Sequence, residues 1–214
     1  MTCEIAPYPP EAAAQEAAEA LFADRLLAAV RYAGWLVGPG ISRGILGPRE
    51  ADRLWDRHVL NCALVADLVP RDAHVVDVGS GGGLPGIVLA LMRPDLRVTL
   101  IDSRLRRTAF LTEVVTDLAV TDRVEVVRAR AEETRRAADV VTARAVSDLS
   151  SLAAWSAGLV RAGGLLLAQR GGAARDEIRA HARPVQAAGW QDIEVVERQH
   201  PGVTSSLIVR AIRR

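Results

Sequence analysis

The stretch Val75-Val76-Asp77-Val78-Gly79-Ser80-Gly81-Gly82-Gly83-Leu84-Pro85-Gly86 constrains this chain more than any other. A short apolar run leads into a turn made almost wholly of glycine. A second apolar run, Ile87–Met92, follows at once. The first run reads as a buried strand and the second as a helix, the context that gives a glycine turn meaning. Without Cβ atoms the turn lets another group approach its backbone closely, and Pro85 suits a first helical turn. Downstream, strands at Val98–Asp102, Val124–Ala129, Val140–Ala143 and Leu165–Gln169 alternate with helices at 105–118, up to about 160, and 174–188. The runs 192–198 and 206–212 have no helix-length spacer between them and read as an antiparallel hairpin. Strand–helix alternation of this kind predicts an α/β fold, an open and mostly parallel sheet covered on both faces.

Ahead of the sheet lies a different pattern. Residues 10–37 are alanine-rich, with Leu21, Phe22, Leu26, Ala29 and Val30 at helical spacing; Pro9-Pro10 and Gly38-Pro39-Gly40 bracket them. A second helix is expected from Pro48 to Pro70. Residues 1–72 are therefore read as a helical cap, and 73–214 as the ligand-binding α/β unit, the two forming one compact whole. Ile87–Met92, among the longest apolar runs, is six residues, far short of the ~20 that span a bilayer. Acidic residues where a signal peptide would be basic, and only two cysteines, Cys3 and Cys62, read as free thiols, place the chain in the cytoplasm. All 27 basic side chains are arginine, so no lysine is available as a base or Schiff-base former. A formal net charge of +1 argues against a strongly basic nucleic-acid binder, but not against a local basic face.

The glycine turn can be read in two frames. Gly81-x-Gly83-x-x-Gly86 matches a dinucleotide fingerprint, but it sets Pro85, which has no N–H, where a pyrophosphate needs backbone amides. Asp77 followed by Gly79-x-Gly81-x-Gly83 matches an S-adenosylmethionine turn, with the Asp77 carboxylate beside a ligand's amino group. Asp102 ends the next strand, placed to accept hydrogen bonds from ribose hydroxyls. Glu132, after the third strand, could close the other side of a nucleoside.

The segments "DVGSGGGLPGIVLALMRPDLRVTLIDSRLRRTAFL", "RARAEE", "TARAVSDL" and, in the cap, "GPREADRLWDRHVLNCALV" resemble the bacterial 16S rRNA guanine-N7 methyltransferases, also called the glucose-inhibited division protein B family. The resemblance runs from about residue 20 to the C-terminus. It implies a Rossmann-like class I methyltransferase fold with a seven-stranded, mostly parallel sheet, a terminal antiparallel hairpin and an N-terminal helical cap. It also implies S-adenosyl-L-methionine as cofactor and one guanine near the decoding site of the small ribosomal subunit as target. Cofactor contacts carry over to Gly79 and Leu84 in the turn, to Ala131 and Glu132, and to Arg144. With the turn itself and the ribose acid, the expected cofactor set is Asp77, Gly79, Ser80, Gly81, Gly83, Leu84, Asp102, Ala131, Glu132 and Arg144. The chain departs from the family at Asn61-Cys62, where Asp-Ser is usual, and at Gln169-Arg170-Gly171, where Leu-Lys-Gly is common.

Guanine N7 has a lone pair and no proton to lose, so positioning rather than a general base should carry the rate. Thr142-Ala143-Arg144-Ala145 stands where amino-group methylases have Asp/Asn-Pro-Pro-Tyr. Neither cysteine falls at the tip of strand four or five, against thiolate attack on a ring. Arg144 is expected to orient cofactor or substrate; the plainer alternative is an ion pair with an acid such as Glu132. Arg104, Arg130 and Arg170, near carboxyl ends of strands, and His58, on the cap, are the expected RNA contacts. Trp35, Trp55, Trp155 and Trp190 read as packing residues. His74, His181 and His200 form no metal set with the cysteines. The expected partner is 16S rRNA in the small subunit, with no membrane and no metal, the chain acting as a monomer. The alternatives are a small-molecule methyltransferase on the same fold and a dinucleotide-binding module.

Overall fold

A computed structural model describes residues 5–214; Cys3 lies outside them. Seven strands form one sheet: β1 (His74–Val78), β2 (Arg97–Asp102), β3 (Val124–Arg128), β4 (Ala138–Arg144), β5 (Val160–Arg170), β6 (Trp190–His200) and β7 (Val203–Arg213), in the order β3-β2-β1-β4-β5-β7-β6. β1 pairs in parallel with both β2 and β4. The order in which successive strands are added therefore reverses between β1 and β4, the place where open α/β sheets hold ligands. β7 runs antiparallel between β5 and β6.

Side-chain alternation sorts the strands into two faces. Val75, Val98, Leu100, Val140 and Leu167 join one apolar cluster; Val76, Val78, Ile101, Val141 and Leu166 join the other. The first face is covered by α4 (Gly86–Met92), α5 (Leu105–Asp117) and the N-terminal helices; the second by α6 (Leu149–Ser156) and α7 (Ala174–Ala187). Phe22, Tyr32, Trp55 and Leu60 of the N-terminal segment belong to the same cluster as β1, α4 and α5. The burial on that face is thus continuous from cap to sheet.

The cap itself departs from the two long helices expected. The first is broken at Ala23–Arg25, where Ala23 takes φ +46°, into α1 (Ala12–Phe22) and α2 (Leu26–Trp35). The second is a 3₁₀ turn, Pro48–Arg53, a π-helical stretch, Leu54–Leu60, and a three-residue α3 (Asn61–Ala63). Within the π stretch the carbonyl of Arg57 accepts from Arg144 Nη2 at 3.0 Å. A side chain bonding into the helical ladder is a recognised cause of such irregularity. β5 begins at Val160 rather than at the expected Leu165, so Gly163-Gly164 lies inside it, and the β4–β5 register shifts between Ala138 and Val140.

Charge ties the cap to α5. Trp35 Nε1 donates to Asp117 Oδ2 at 2.7 Å, and Arg31 grips both carboxylate oxygens. These bonds hold the Asp117 carboxyl below its usual range. Asp117→Ala leaves the indole N–H unpaired and should cost about 1–2 kcal/mol. That corresponds to a melting point lower by roughly 2–8 °C for a domain of this size, checked by calorimetry at pH 7; an unchanged melting point would remove this tie from the stability account.

Candidate functional site

The glycine turn folds as it does because β2 supplies its acceptors. The amides of Gly79 and Ser80 both donate to the Ile101 carbonyl, at 2.8 and 3.1 Å. Gly81 N donates to Asp102 Oδ2 at 3.1 Å, and Arg104 N to Asp102 Oδ1 at 2.9 Å. One buried carboxylate thus fixes both the turn after β1 and the start of α5. Arg107 Nη1 adds an ion pair to it at 3.2 Å. From the cap, Tyr32 Oη donates to the Gly82 carbonyl at 3.0 Å. Tyr32 is fully buried, and burial pushes its phenol well above its usual range.

These elements enclose a cleft of about 640 Å³ at the carboxyl ends of β1, β2, β3 and β4. Its walls include Gly79, Ser80, Gly81, Leu84, Asp102, Arg104, Arg130, Ala131, Glu132, Arg144 and His58. The structure therefore brings most of the expected site residues together. A Cβ built on Gly81, which sits at φ +57°, would meet nothing nearer than the Gly79 carbonyl oxygen at 3.7 Å. The space above the turn is a cradle that a side chain would fill. This backbone, with a carboxylate on the adjacent strand tip, fits a nucleoside-bearing cofactor.

Three expected residues stand elsewhere. Gly83 is buried beneath the cleft, where an added Cβ would run into Ile87 and Tyr32. Asp77 is completely buried behind the turn rather than in the cleft wall. Its Oδ2 accepts from Gly86 N at 3.2 Å, anchoring α4, and its Oδ1 is buried with no hydrogen-bond partner. Burial, helped by the nearby Asp102 charge, pushes the Asp77 carboxyl up to about 7. Arg170, expected at the RNA face, is turned inward, its side chain 9% exposed.

His58 and Arg144 face the cleft under constraint. His58 Nε2 lies 2.6 Å from Glu50 Oε2, and burial, with Arg144 nearby, lowers its pKa. Arg144 spends donors on the Arg57 carbonyl and, at 3.6 Å, on Cys62 Sγ. Contacts to the cap thus stand where an ion pair with an acid such as Glu132 was the alternative. Burial pushes the Cys62 thiol up to about 11, so it stays protonated near neutrality. Asn61 Nδ2 donates to the Thr204 and Ser205 carbonyls, and Gln169 Nε2 donates to the Asn61 carbonyl at 2.9 Å. Asn61-Cys62 is thus a seam joining the cap to β4, β5 and β7.

Sequence reasoning missed Tyr32, Arg107 and Trp155. Trp155 lines the cleft instead of packing wholly inside. Nothing in the spacing marks Tyr32, whose partner is a backbone carbonyl 50 residues on; Arg107, by contrast, pairs with Asp102 only five residues before it, a signal the sequence does carry. Among the described residues there is no group of three or more His, Cys, Asp or Glu side chains able to hold a metal ion, and no helix long and apolar enough to cross a membrane.

Solved structures share this architecture. An S-adenosylmethionine-dependent O-methyltransferase from Thermotoga maritima superposes with a TM-score of 0.55 at 16% identity, over 71% of this chain and 64% of that one. The S-adenosylmethionine-dependent methyltransferase SibL gives 0.61 at 19% identity, over 85% and 61%. The fold is that of the Rossmann-like S-adenosylmethionine-dependent methyltransferases. In sequence, the profile of the GidB family, described as rRNA small subunit methyltransferase G, matches residues 25–206. The ribosomal RNA small subunit methyltransferase G of Salinispora tropica is 52% identical over 195 residues, 87% of this chain and 80% of its own length. That of Mycobacterium marinum is 50% identical over 186 residues, 85% and 81%. The chain belongs to the rRNA small subunit methyltransferase G family.

Two outcomes test the site. Asp102→Asn keeps the shape but not two charged acceptors, and should weaken S-adenosylmethionine binding roughly tenfold to a hundredfold, about 1.4–3 kcal/mol; calorimetric titration with an unchanged Kd would take Asp102 out of the site. Asp77, an acid with a raised folded pKa, contributes stability that is complete below the unfolded value of 3.8 and is lost as pH rises through about 7. The melting point of the wild type relative to Asp77→Asn should therefore fall between pH 4 and pH 8. A difference that does not change with pH would mean that Asp77 does not titrate there.

Proposed function

We propose that this protein transfers a methyl group from S-adenosylmethionine to N7 of a single guanine in 16S rRNA, near the decoding site. Its substrate is the small ribosomal subunit or an assembly intermediate, and it acts in the cytoplasm as a monomer. The observation that carries the reading is the cleft at the β1/β4 reversal, framed by the glycine turn and Asp102, in a chain of this family.

When bound, S-adenosylmethionine supplies a methyl group on a positively charged sulfur. In the proposed arrangement the backbone from Gly79 to Leu84 forms the floor, Gly83 and Asp77 acting from beneath by fixing the turn and the first amide of α4. Asp102 takes the ribose hydroxyls, and Ala131 and Glu132 border the base. Arg144, pinned to the cap through Arg57 and Cys62, orients the two reactants where β4 ends. Because N7 offers a lone pair and carries no proton, no side chain has to remove one. The chain's work is to align acceptor and donor and exclude water, which is where such a rate comes from.

Arg104 and Arg130, exposed on the cleft rim, are placed to hold RNA phosphates, and His58 to border the acceptor. A net charge of +1 gives little non-specific RNA affinity. Shape and ribosomal context then select the site.

The test is to incubate the protein with methyl-labelled S-adenosylmethionine and small subunits lacking the modification, then map label by cleavage at N7-methylated guanines. One labelled guanine is expected, with subunits preferred over bare rRNA. Cofactor binding without transfer to subunits would move the substrate elsewhere, and transfer to a small molecule without RNA would replace the proposal.

A further inference from the structure

Arg170 closes β5 beside the cleft, yet its side chain points into the protein. Nη1 donates to the carbonyls of Val146 and Ser147 at 3.3 and 2.8 Å. Nε lies 3.5 Å from Glu177 Oε2 on α7, but neither Nε nor Nη2 has a hydrogen-bond partner, and both are buried. Burying a guanidinium with donors unsatisfied is unfavourable, so this placement has to be set against what it holds.

What it holds is strained. Ala145 and Ser147 take φ values of +54° and +45°, a left-handed backbone that side-chain-bearing residues resist. Between them, Val146 packs so tightly over the glycine turn that a Cβ on Gly79 would lie 2.6 Å from its Cγ2. Ala145 and Val146 both line the cleft, next to Arg144. Beyond them the chain is tied again, by Asp148 Oδ1 accepting from Ser151 N at 2.9 Å. Of the side chains, Arg170 alone bonds to the Val146 and Ser147 carbonyls among the hydrogen bonds of the described residues.

We propose that Arg170 is a positioning residue. It clamps the turn 145–147, with Ala145 and Ser147 held at positive φ, and so sets the cleft wall against which the acceptor base lies, without touching RNA itself. The inference rests on reading the cleft as the methyl-transfer site.

The test uses Arg170→Gln and Arg170→Lys in the full chain. Arg170→Gln should lower kcat on unmodified small subunits roughly tenfold to a hundredfold, the usual effect of a misplaced contact surface. The slope of RNA affinity against salt should stay as in the wild type, because no phosphate contact is lost. The amides of residues 145–149 should exchange faster in the isolated protein. Ser147→Gly added to Arg170→Gln should recover about threefold or more in kcat, since glycine adopts positive φ without strain. Arg170→Lys keeps a charge opposite Glu177 and one carbonyl contact; it should remain folded and show the same changes in smaller degree. A shallower salt slope with kcat intact would make Arg170 an RNA contact and overturn the proposal, as would unchanged exchange at 145–149. Exchange is read on the protein alone, so it decides the clamp even if the wild type proves inactive on subunits.

Discussion

The carboxylate of Asp102 is the interaction on which the working end of this molecule depends. One oxygen accepts from Gly81 and the other from Arg104, so the turn after β1 and the start of α5 cannot move apart. The glycine turn has few side chains to hold it. Its shape comes from acceptors on its neighbours, the Ile101 carbonyl and Asp102, and from Tyr32 reaching across from the cap. A carboxylate that could have been read as a ligand contact alone is first a part of the scaffold. That explains why the ligand side of such a cleft can stay bare backbone and still keep its form.

Arginine plays a second structural part here. Arg93 donates to the carbonyls of Ala66, Val69 and Pro70 while pairing with Asp95. Arg213 reaches those of Ala157, Ala188 and Gly189. Arg144 and Arg170 use the same device at the cleft. A planar fork of five donors can satisfy several loop carbonyls at once, which an ammonium on a flexible stem does less well. In a chain with no lysine, these four arginines stitch irregular backbone to regular backbone. Counting arginines therefore overstates the charge available to a polyanion.

The sheet is readable in the sequence because strands buried on both faces announce themselves as β-branched runs, and the glycine turn fixes which strand comes first. The hairpin is readable from the missing spacer between 198 and 206. The second cap helix is not, because its π stretch at Leu54–Leu60 meets Arg144, far off in sequence. At the site, Gly79, Gly81, Asp102 and Glu132 fall where strand tips put them. Asp77 and Arg170 are misplaced by sequence reasoning for a shared reason. Spacing tells which end of a strand a residue occupies, but not whether its side chain faces solvent or the neighbouring element.

The seam between cap and hairpin bears on the order in which the chain is made. Asp56 accepts from both the amide and hydroxyl of Thr204, and Asn61 binds the Thr204 and Ser205 carbonyls. Residues separated by more than 140 positions complete one another. During translation the early helices must wait, their lower edge uncovered, until almost the last strand has been synthesised. Contacts of such long sequence separation are formed late and slowly, so the nascent chain carries an exposed flank for most of its synthesis, the period in which a chaperone would have something to hold.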